Sequence, residues 1–130
     1  MNDFLFDPKI IEDVQFNHSA TQYKDFPSAL DLSKRFIVRP LRCDDHKGYC
    51  DLLKNLTEIG EYDEEKFKSR FREMKNCPNT YFIIVIEEKM TKRLIASGTV
   101  VIELKFIRNC NKVLRISFKF TFRELISKML

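Results

Sequence analysis

Apolar and polar residues recur with different periods in successive parts of the chain, and these periods predict its elements. Residues 35–43, RFIVRPLRC, are rich in apolar and β-branched residues and predict a first strand. Pro40 has no N–H group for a sheet ladder, so this strand lies at an edge or ends near that residue. After Asp44 or Asp45, either of which can cap a helix, the period becomes helical, and Gly60 suits a left-handed helix end. The apolar face of this predicted helix comprises Tyr49, Leu52, Leu53, Leu56 and Ile59.

A second helix is predicted over residues 63–76. Asp63 is a suitable N-cap, and Glu64 and Glu65 follow it at the end of the helix where negative charge is favourable. Pro78 stops the helix. Its apolar stripe consists of Phe67, Phe71 and Met74. Such a stripe is typical of a helix packed on a core rather than of a cofactor site.

Two further strands are predicted after this helix. Residues 80–87, TYFIIVIE, are apolar on both alternating faces, which indicates a buried central strand. The charged residues 88–92 then form a turn, so the strand at 94–104 is expected to return antiparallel. Gly98 inside that strand marks a bulge, a bend or a close backbone approach. The predicted order is strand–helix–helix–strand–strand.

The two ends of the chain have different patterns. Residues 1–34 are predicted to form an arm, in which Asp7 and Pro8 start a short helix and the polar part after it wraps without regular structure. Residues 113–122, VLRISFKFTF, alternate between apolar and polar and predict an amphipathic strand. Residues 123–130 could form two helical turns. We therefore divide the chain into an arm (1–34), a central domain (35–112) and a tail (113–130).

Composition adds a charge asymmetry to this picture. The chain has 130 residues, a length typical of one domain, and 44% of them are hydrophobic. Its formal net charge is +4, yet the residues from Leu104 onward contain seven basic residues and one acidic residue. A basic end of this kind can contact phosphate on a cofactor, a sugar or a nucleic acid. The alternative is a solvated tail with no ligand.

Cysteine and histidine usage argues against a metal site. The four cysteines have no C-x-x-C spacing, and only two histidines are present, so we expect no structural zinc and no metal cofactor. Neither a signal peptide nor an apolar run of membrane length is recognised in the sequence. These features predict a soluble cytoplasmic protein with reduced thiols and no transmembrane segment.

The candidate site lies where the last strand of the central domain ends. Lys105, Phe106, Ile107 and Arg108 directly follow that strand and combine two cations with an aromatic ring. Binding residues are often found at such strand ends, because a rigid element holds them at the border of the sheet. The alternative is ordinary solvated charge at a strand end.

Three segments of the chain resemble the GNAT acyltransferase superfamily and, within it, the glucosamine 6-phosphate N-acetyltransferase family. They are FIVRPL at residues 36–41, L-T-E-x-G at residues 56–60, and I-E-x-K-F-I at residues 102–107 followed by Cys110. The Phe6-Asp7-Pro8 sequence in the arm is a weaker match. The resemblance implies an α/β (α+β) fold, an incomplete GNAT-like domain with a mixed, mainly antiparallel sheet.

The resemblance also implies a reaction and a set of binding residues. The reaction is acetyl transfer from acetyl-CoA, as co-substrate, to the amine of glucosamine 6-phosphate, a step of UDP-GlcNAc biosynthesis. The amine attacks the thioester directly, while the protein orients the substrates, contacts the oxyanion through backbone N–H and protonates the leaving thiolate; the catalytic residues of this chain are unknown. The family's substrate-binding positions correspond here to Thr57, Lys105, Phe106, Ile107 and Arg108. Members of the family form homodimers, which implies a second copy of the chain as a possible partner.

The match ends after about residue 112, where the family has a Glu-Asp pair and a glycine loop that approaches the CoA pyrophosphate. Residues 113–130 contain neither. We therefore expect a truncated or altered product that binds acetyl-CoA weakly and turns over little. A non-catalytic interaction module is the alternative, because a strand at 113–122 would offer a free edge to another chain. Nucleic-acid binding through residues 115–123 is not expected, because no RNP-type motif accompanies the basic and aromatic alternation.

Overall fold

The computed structural model describes residues 3–11, 35–54, 58–60, 62–110 and 112–120, with residues 107–108 and 113–120 described by their backbone. The predicted order of two helices and three strands is confirmed, and a short helix and a fourth strand follow it. The elements are β1 (Phe36–Pro40), α1 (His46–Lys54), α2 (Glu64–Lys75), β2 (Tyr81–Glu88), β3 (Leu94–Leu104), α3 (Ile107–Cys110) and β4 (Lys112–Phe120). Predictions for residues 12–34, Thr57 and residues 121–130 lie outside the described part.

The four strands form one sheet in the order β1-β2-β3-β4. Every described pair is antiparallel, which agrees with the mainly antiparallel sheet that was predicted. Pro40 is the last residue of β1 and lies opposite Ile84 of β2. β1 is also an edge strand of the described sheet. Both readings of Pro40 therefore hold, because the edge position leaves its missing N–H group without a cost.

The register shift of the sheet does not lie at Gly98, for which a bulge was one of three predicted roles. Gly98 is paired regularly with Ile84 on β2 and with Phe118 on β4. The register shifts instead between Ile86 and Glu87, opposite the first residues of β3. The bulge is thus next to the β2–β3 turn.

Helix α1 is shorter than the apolar pattern predicted. It begins after Asp45, whose carbonyl accepts a hydrogen bond from the Tyr49 N–H at 2.8 Å. Ile59 lies in irregular chain after the helix, so its inclusion in the helical face was wrong. Gly60 has the left-handed φ of 67° that was predicted for it. Because L side chains are strained at this φ, the glycine permits the chain to turn there toward α2.

Helix α2 has both of its predicted ends. The Asp63 carboxylate accepts a hydrogen bond from the Lys66 N–H at 2.8 Å, as an N-cap does. The helix ends at Lys75, and Asn76 is its C-cap. Phe67 and Phe71 are buried on the inner face, which confirms the predicted stripe. No described helix combines the length and the apolar character needed to cross a membrane.

The main core lies between the two helices and one face of the sheet. Leu52 of α1, Phe71 of α2 and Val85 of β2 are almost fully buried there. Helix α1 approaches β3 closely at Gly48, where an added Cβ would stand 3.3 Å from the Leu94 side chain. This close approach brings Tyr49, the residue after Gly48, next to β3.

The beginning of the chain pairs with the segment after β1. The Leu5 N–H donates to the Leu41 carbonyl at 2.8 Å, and the buried Leu5 side chain joins the main core. Phe6 packs edge-on against Phe82, with ring centroids 5.1 Å apart. Residues 9–11 are helical after Pro8, as the Asp-Pro start predicted. The described start of the arm is therefore an integral part of the domain.

Candidate functional site

The predicted site lies in the connection between β3 and β4. Burial falls along β3, from the buried Leu94 to Leu104, which is 75% exposed. The last register pair joins Leu104 to Lys112, so the residues between them project beyond the sheet. The short helix α3 occupies most of this connection. We call residues 103–110 the strand-end corner.

The corner presents charge and an aromatic ring. The Lys105 Nζ lies 3.9 Å from a carboxylate oxygen of Glu103, a loose ion pair on a half-exposed surface. Phe106 is 95% exposed. Ile107 and Arg108 lie in the first turn of α3, next to these residues along the backbone. Four of the five predicted binding residues are consecutive in the sequence, and the structure places this segment at the end of β3.

The backbone of the corner is tightly turned. Asn109 and Cys110 have φ values of 58° and 62°, both in the left-handed region. Asparagine tolerates this conformation, whereas for cysteine it costs about 1 kcal/mol or more. The neighbouring turn before β2 lies alongside, because the Ile102 N–H donates to the Thr80 carbonyl at 2.9 Å. These two turns fix the direction in which the corner projects.

This arrangement suits the binding of an anionic polar molecule. Cations placed on a rigid strand end can bind phosphate, and an exposed aromatic ring can pack on the apolar face of a sugar. Phe106 is held open to solvent, although burial of a phenylalanine ring is normally favourable. Its exposure places the ring outside the core and leaves it accessible to another molecule.

Tyr49 of α1 forms a cluster of hydroxyl groups with Ser97 and Thr99 of β3. Burial raises the pKa of Tyr49 on α1, and hydrogen bonding from Ser97 and Thr99 on β3 lowers that pKa in part. Burial also raises the pKa of Tyr62, together with hydrogen bonding to Cys50 and the charges of Cys50 and Tyr49. Both tyrosines are therefore held in their neutral form and connect α1 to its surroundings.

These tyrosines predict a loss of stability at alkaline pH. An unfolded tyrosine ionises near pH 10, whereas the raised pKa values keep the folded ones protonated. Their contribution is thus complete below about pH 10 and is lost as the pH rises through the folded pKa values. Urea unfolding followed by circular dichroism should show an unfolding free energy that falls above this pH.

The tyrosine substitutions provide the control. Tyr49→Phe and Tyr62→Phe should each make the alkaline decline shallower, whatever each hydroxyl contributes at neutral pH. If both variants keep the slope of the parent protein, other groups are responsible for the decline.

A buried ion cluster was missed in the sequence. Arg39 on β1 is 7% exposed, and its guanidinium makes two hydrogen bonds to the Asp45 carboxylate, at 2.7 and 2.9 Å. Glu87 on β2 lies 3.5 Å from it. The Asp45 carboxylate also accepts from the Arg42 N–H at 2.7 Å, so it is used by the cluster rather than by a helix cap. The sequence signal for this cluster was Arg39 itself, a charged residue inside the apolar strand β1, because a buried charge needs a partner.

The electrostatics of the cluster follow from its pairing. Burial by itself would lower the pKa of Arg39, but the hydrogen bonds and charges of Asp45 and Glu87 outweigh burial and raise the pKa. The Nε of Arg39 has no hydrogen-bond partner in the described part of the chain. The cluster joins β1, β2 and the start of α1. None of its residues belongs to the strand-end corner.

Among the cavities formed by the described residues, two lie beside α2. The first has a volume of about 470 Å³ and is lined by apolar and aromatic residues of α1, α2 and the sheet. The second has a volume of about 430 Å³ and lies between α1 and the start of α2, near Gly60. Tyr62 and Lys66 line both. Neither cavity includes a residue of the strand-end corner.

Comparison with known proteins finds several relatives that are named as the same enzyme. No family model matches the chain. It is 36% identical over 109 residues to a probable glucosamine 6-phosphate N-acetyltransferase of Drosophila melanogaster, covering 82% of this chain and 49% of that protein. It is 44% identical over 75 residues to glucosamine 6-phosphate N-acetyltransferase 1 of Dictyostelium discoideum, covering 57% of this chain and 47% of that protein. The chain thus spans about half the length of the curated relatives it matches.

The fold is shared with a solved structure of the same kind of enzyme. The crystal structure of glucosamine-6-phosphate N-acetyltransferase from Arabidopsis thaliana superimposes with a TM-score of 0.64 at 34% sequence identity. The superposition covers 72% of this chain and 68% of that one. The GNAT-like arrangement predicted from the sequence is therefore confirmed.

Proposed function

The chain belongs to the glucosamine 6-phosphate N-acetyltransferase family, and we propose that it takes part in acetyl transfer from acetyl-CoA to the amine of glucosamine 6-phosphate. The observation that carries this proposal is the strand-end corner, where Lys105 and the exposed Phe106 stand together. A phosphosugar needs a cation for its phosphate and a flat apolar surface for its ring, and the corner offers both.

In the proposed reaction the sugar nitrogen attacks the thioester carbonyl directly. A C–N bond forms and the C–S bond breaks; nitrogen loses one proton, and the leaving thiolate takes one up. The protein contributes orientation, which can supply a large part of the rate enhancement of a two-substrate reaction. Lys105 and Arg108 would hold the phosphate, Phe106 and Ile107 the sugar, and Thr57 would hydrogen-bond a sugar hydroxyl.

The acetyl-CoA side of the proposed site is the weaker one. Residues 99–130 contain no glycine, so this stretch offers no glycine loop whose backbone N–H groups could approach a pyrophosphate. We therefore expect a high KM for acetyl-CoA and a slow reaction.

The finer parts of the proposal are a cytoplasmic location, a role in UDP-GlcNAc supply and assembly as a homodimer. The four free cysteines support a reducing compartment.

Lys105→Ala tests the phosphate-binding role of the corner. The KM for glucosamine 6-phosphate should rise about tenfold or more, because a hydrogen bond to a charged group contributes about 1.5–3 kcal/mol. The KM for acetyl-CoA should not change. Release of CoA thiol, followed with a thiol-reactive dye, measures both values.

Two controls separate this effect from a general loss of activity. Lys89→Ala removes an exposed lysine from the turn after β2, at the other end of the hairpin, and should leave both KM values unchanged. Glucosamine without phosphate should be a poor substrate that is insensitive to Lys105→Ala. An equal loss with both sugars would contradict the phosphate role. Absence of thiol release by the parent protein at high concentration would reject the activity itself.

A further inference from the structure

The cavity of about 470 Å³ beside α2 has the properties of a small-molecule site. Ligand sites typically have volumes of about 300–1,000 Å³, mainly apolar walls and a few polar groups. Here the walls include four aromatic side chains, and the polar groups lie along one side of α2. The aromatic residues are Tyr49, Tyr62, Phe67 and Phe71. The strand-end corner contributes no residue to this cavity.

The charges around the cavity favour an anion. Arg70 and Glu73, which line it, form an ion pair with each other at 3.5 Å and so offset one another. Lys66 also lines it, and within the described residues it makes no ion pair. The Lys66 side chain also lines the second cavity, together with Lys54, which likewise has no ion pair in the described part. The acid beside them, Asp63, accepts a hydrogen bond from the N–H group of Lys66 as the helix cap, and the two lysines outnumber this single acid.

The composition of the walls favours a flat aromatic body over a flexible chain. Phe67 and Phe71 are already stacked, with ring centroids 6.5 Å apart, and Phe67 lies 6.2 Å from Tyr49. A planar ligand can continue this packing edge to face, whereas a flexible chain would lose conformational freedom on binding. Ile83 and Leu41 close the cavity on the side of the sheet.

We propose that this cavity binds a small planar aromatic carboxylate, with its rings against Tyr49 and Phe67 and its carboxylate at Lys66. The ligand would be distinct from both substrates of the proposed reaction. A compound of two fused rings is much smaller than the cavity and can enter beside Ser69, an exposed residue of α2 that lines the mouth.

The test uses 2-naphthoate and its uncharged isostere 2-naphthamide, titrated into the full chain labelled with ¹⁵N. We expect 2-naphthoate to bind with a Kd of about 0.1–1 mM, a value typical of a ligand of this size. The amide signals that move should include those of residues 66–74. 2-Naphthamide should bind about two- to fivefold more weakly than 2-naphthoate, because an exposed ion pair contributes at most about 1 kcal/mol. Lys66→Gln should abolish the difference between the two compounds.

Two matched tryptophan variants of α2 locate the site. Ser69→Trp fills the mouth of the cavity and should weaken 2-naphthoate binding more than tenfold, whereas Arg72→Trp, on the exposed face, should leave it unchanged. The proposal is overturned if neither compound moves the signals of residues 66–74 or if the two variants bind equally. It is also overturned if those signals move with protein concentration alone, which would mean that a second copy covers the cavity.

Discussion

Replacement of Arg39 by methionine is expected to lower the free energy of unfolding by about 3–5 kcal/mol, because it leaves a buried carboxylate without its counter-charge. Methionine fills much of the same volume, so the main change is electrostatic. Asp45 is 7% exposed and accepts both guanidinium hydrogen bonds, and Glu87 loses a neighbouring cation as well. Urea unfolding of the parent and the variant, followed by circular dichroism at 222 nm, measures the difference.

Two further variants make this result specific to the buried pair. Arg42→Met removes a more exposed arginine of the same cluster, whose pairs are longer, and should cost about 1 kcal/mol or less. In Arg39→Met/Asp45→Asn the uncompensated charge is absent, while the amide oxygen of the substituted side chain can still accept from the Arg42 N–H. This double variant should therefore be more stable than the sum of the single effects predicts. Equal costs for Arg39→Met and Arg42→Met would show that the buried pair has no special role.

The elements that could be predicted from the sequence are those fixed by neighbouring residues. The N-cap of α2 depends on Asp63 and a hydrogen bond three residues along the chain. The β2–β3 hairpin follows from two apolar runs joined by a short charged turn. The corner was also predictable, because Lys105 and Phe106 directly follow a strand whose end the pattern showed. Thr57 lies outside the described residues and remains a prediction.

The features that could not be predicted depend on distant residues or on volumes. Arg39 meets Glu87 across 48 positions of sequence, and no local pattern encodes that meeting. A bulge was one predicted role of Gly98, yet the register shifts between Ile86 and Glu87, because the shift depends on how β3 aligns with β2. The stripe of α2 indicated a core, which is confirmed, yet Phe67 and Met74 also line a cavity. A cavity depends on the packing of several elements and leaves no periodic trace in one of them.

Truncation of two phenylalanines should separate the core from the site. Phe71→Ala is expected to lower the free energy of unfolding by about 3–5 kcal/mol, because it leaves a cavity in a core where Phe71 is 2% exposed. Phe106→Ala removes the same atoms from a ring that is 95% exposed, so its cost should be within about 0.5 kcal/mol. Urea unfolding of both variants under the same conditions gives the comparison.

In the assay of acetyl transfer the order of the two effects should be reversed: Phe106→Ala should change the KM, and Phe71→Ala should not. Phe106→Ala should raise the KM for glucosamine 6-phosphate while the protein remains as stable as its parent, because the exposed ring would be available only to the sugar. Phe71→Ala should lower the amount of folded protein, and the remaining folded fraction should keep the parent KM. A Phe106→Ala variant with unchanged stability and unchanged KM would contradict the role assigned to this ring. A comparable loss of stability in both variants would instead place Phe106 in a packed interface, and the strand-end corner would then be a contact surface rather than an open binding site.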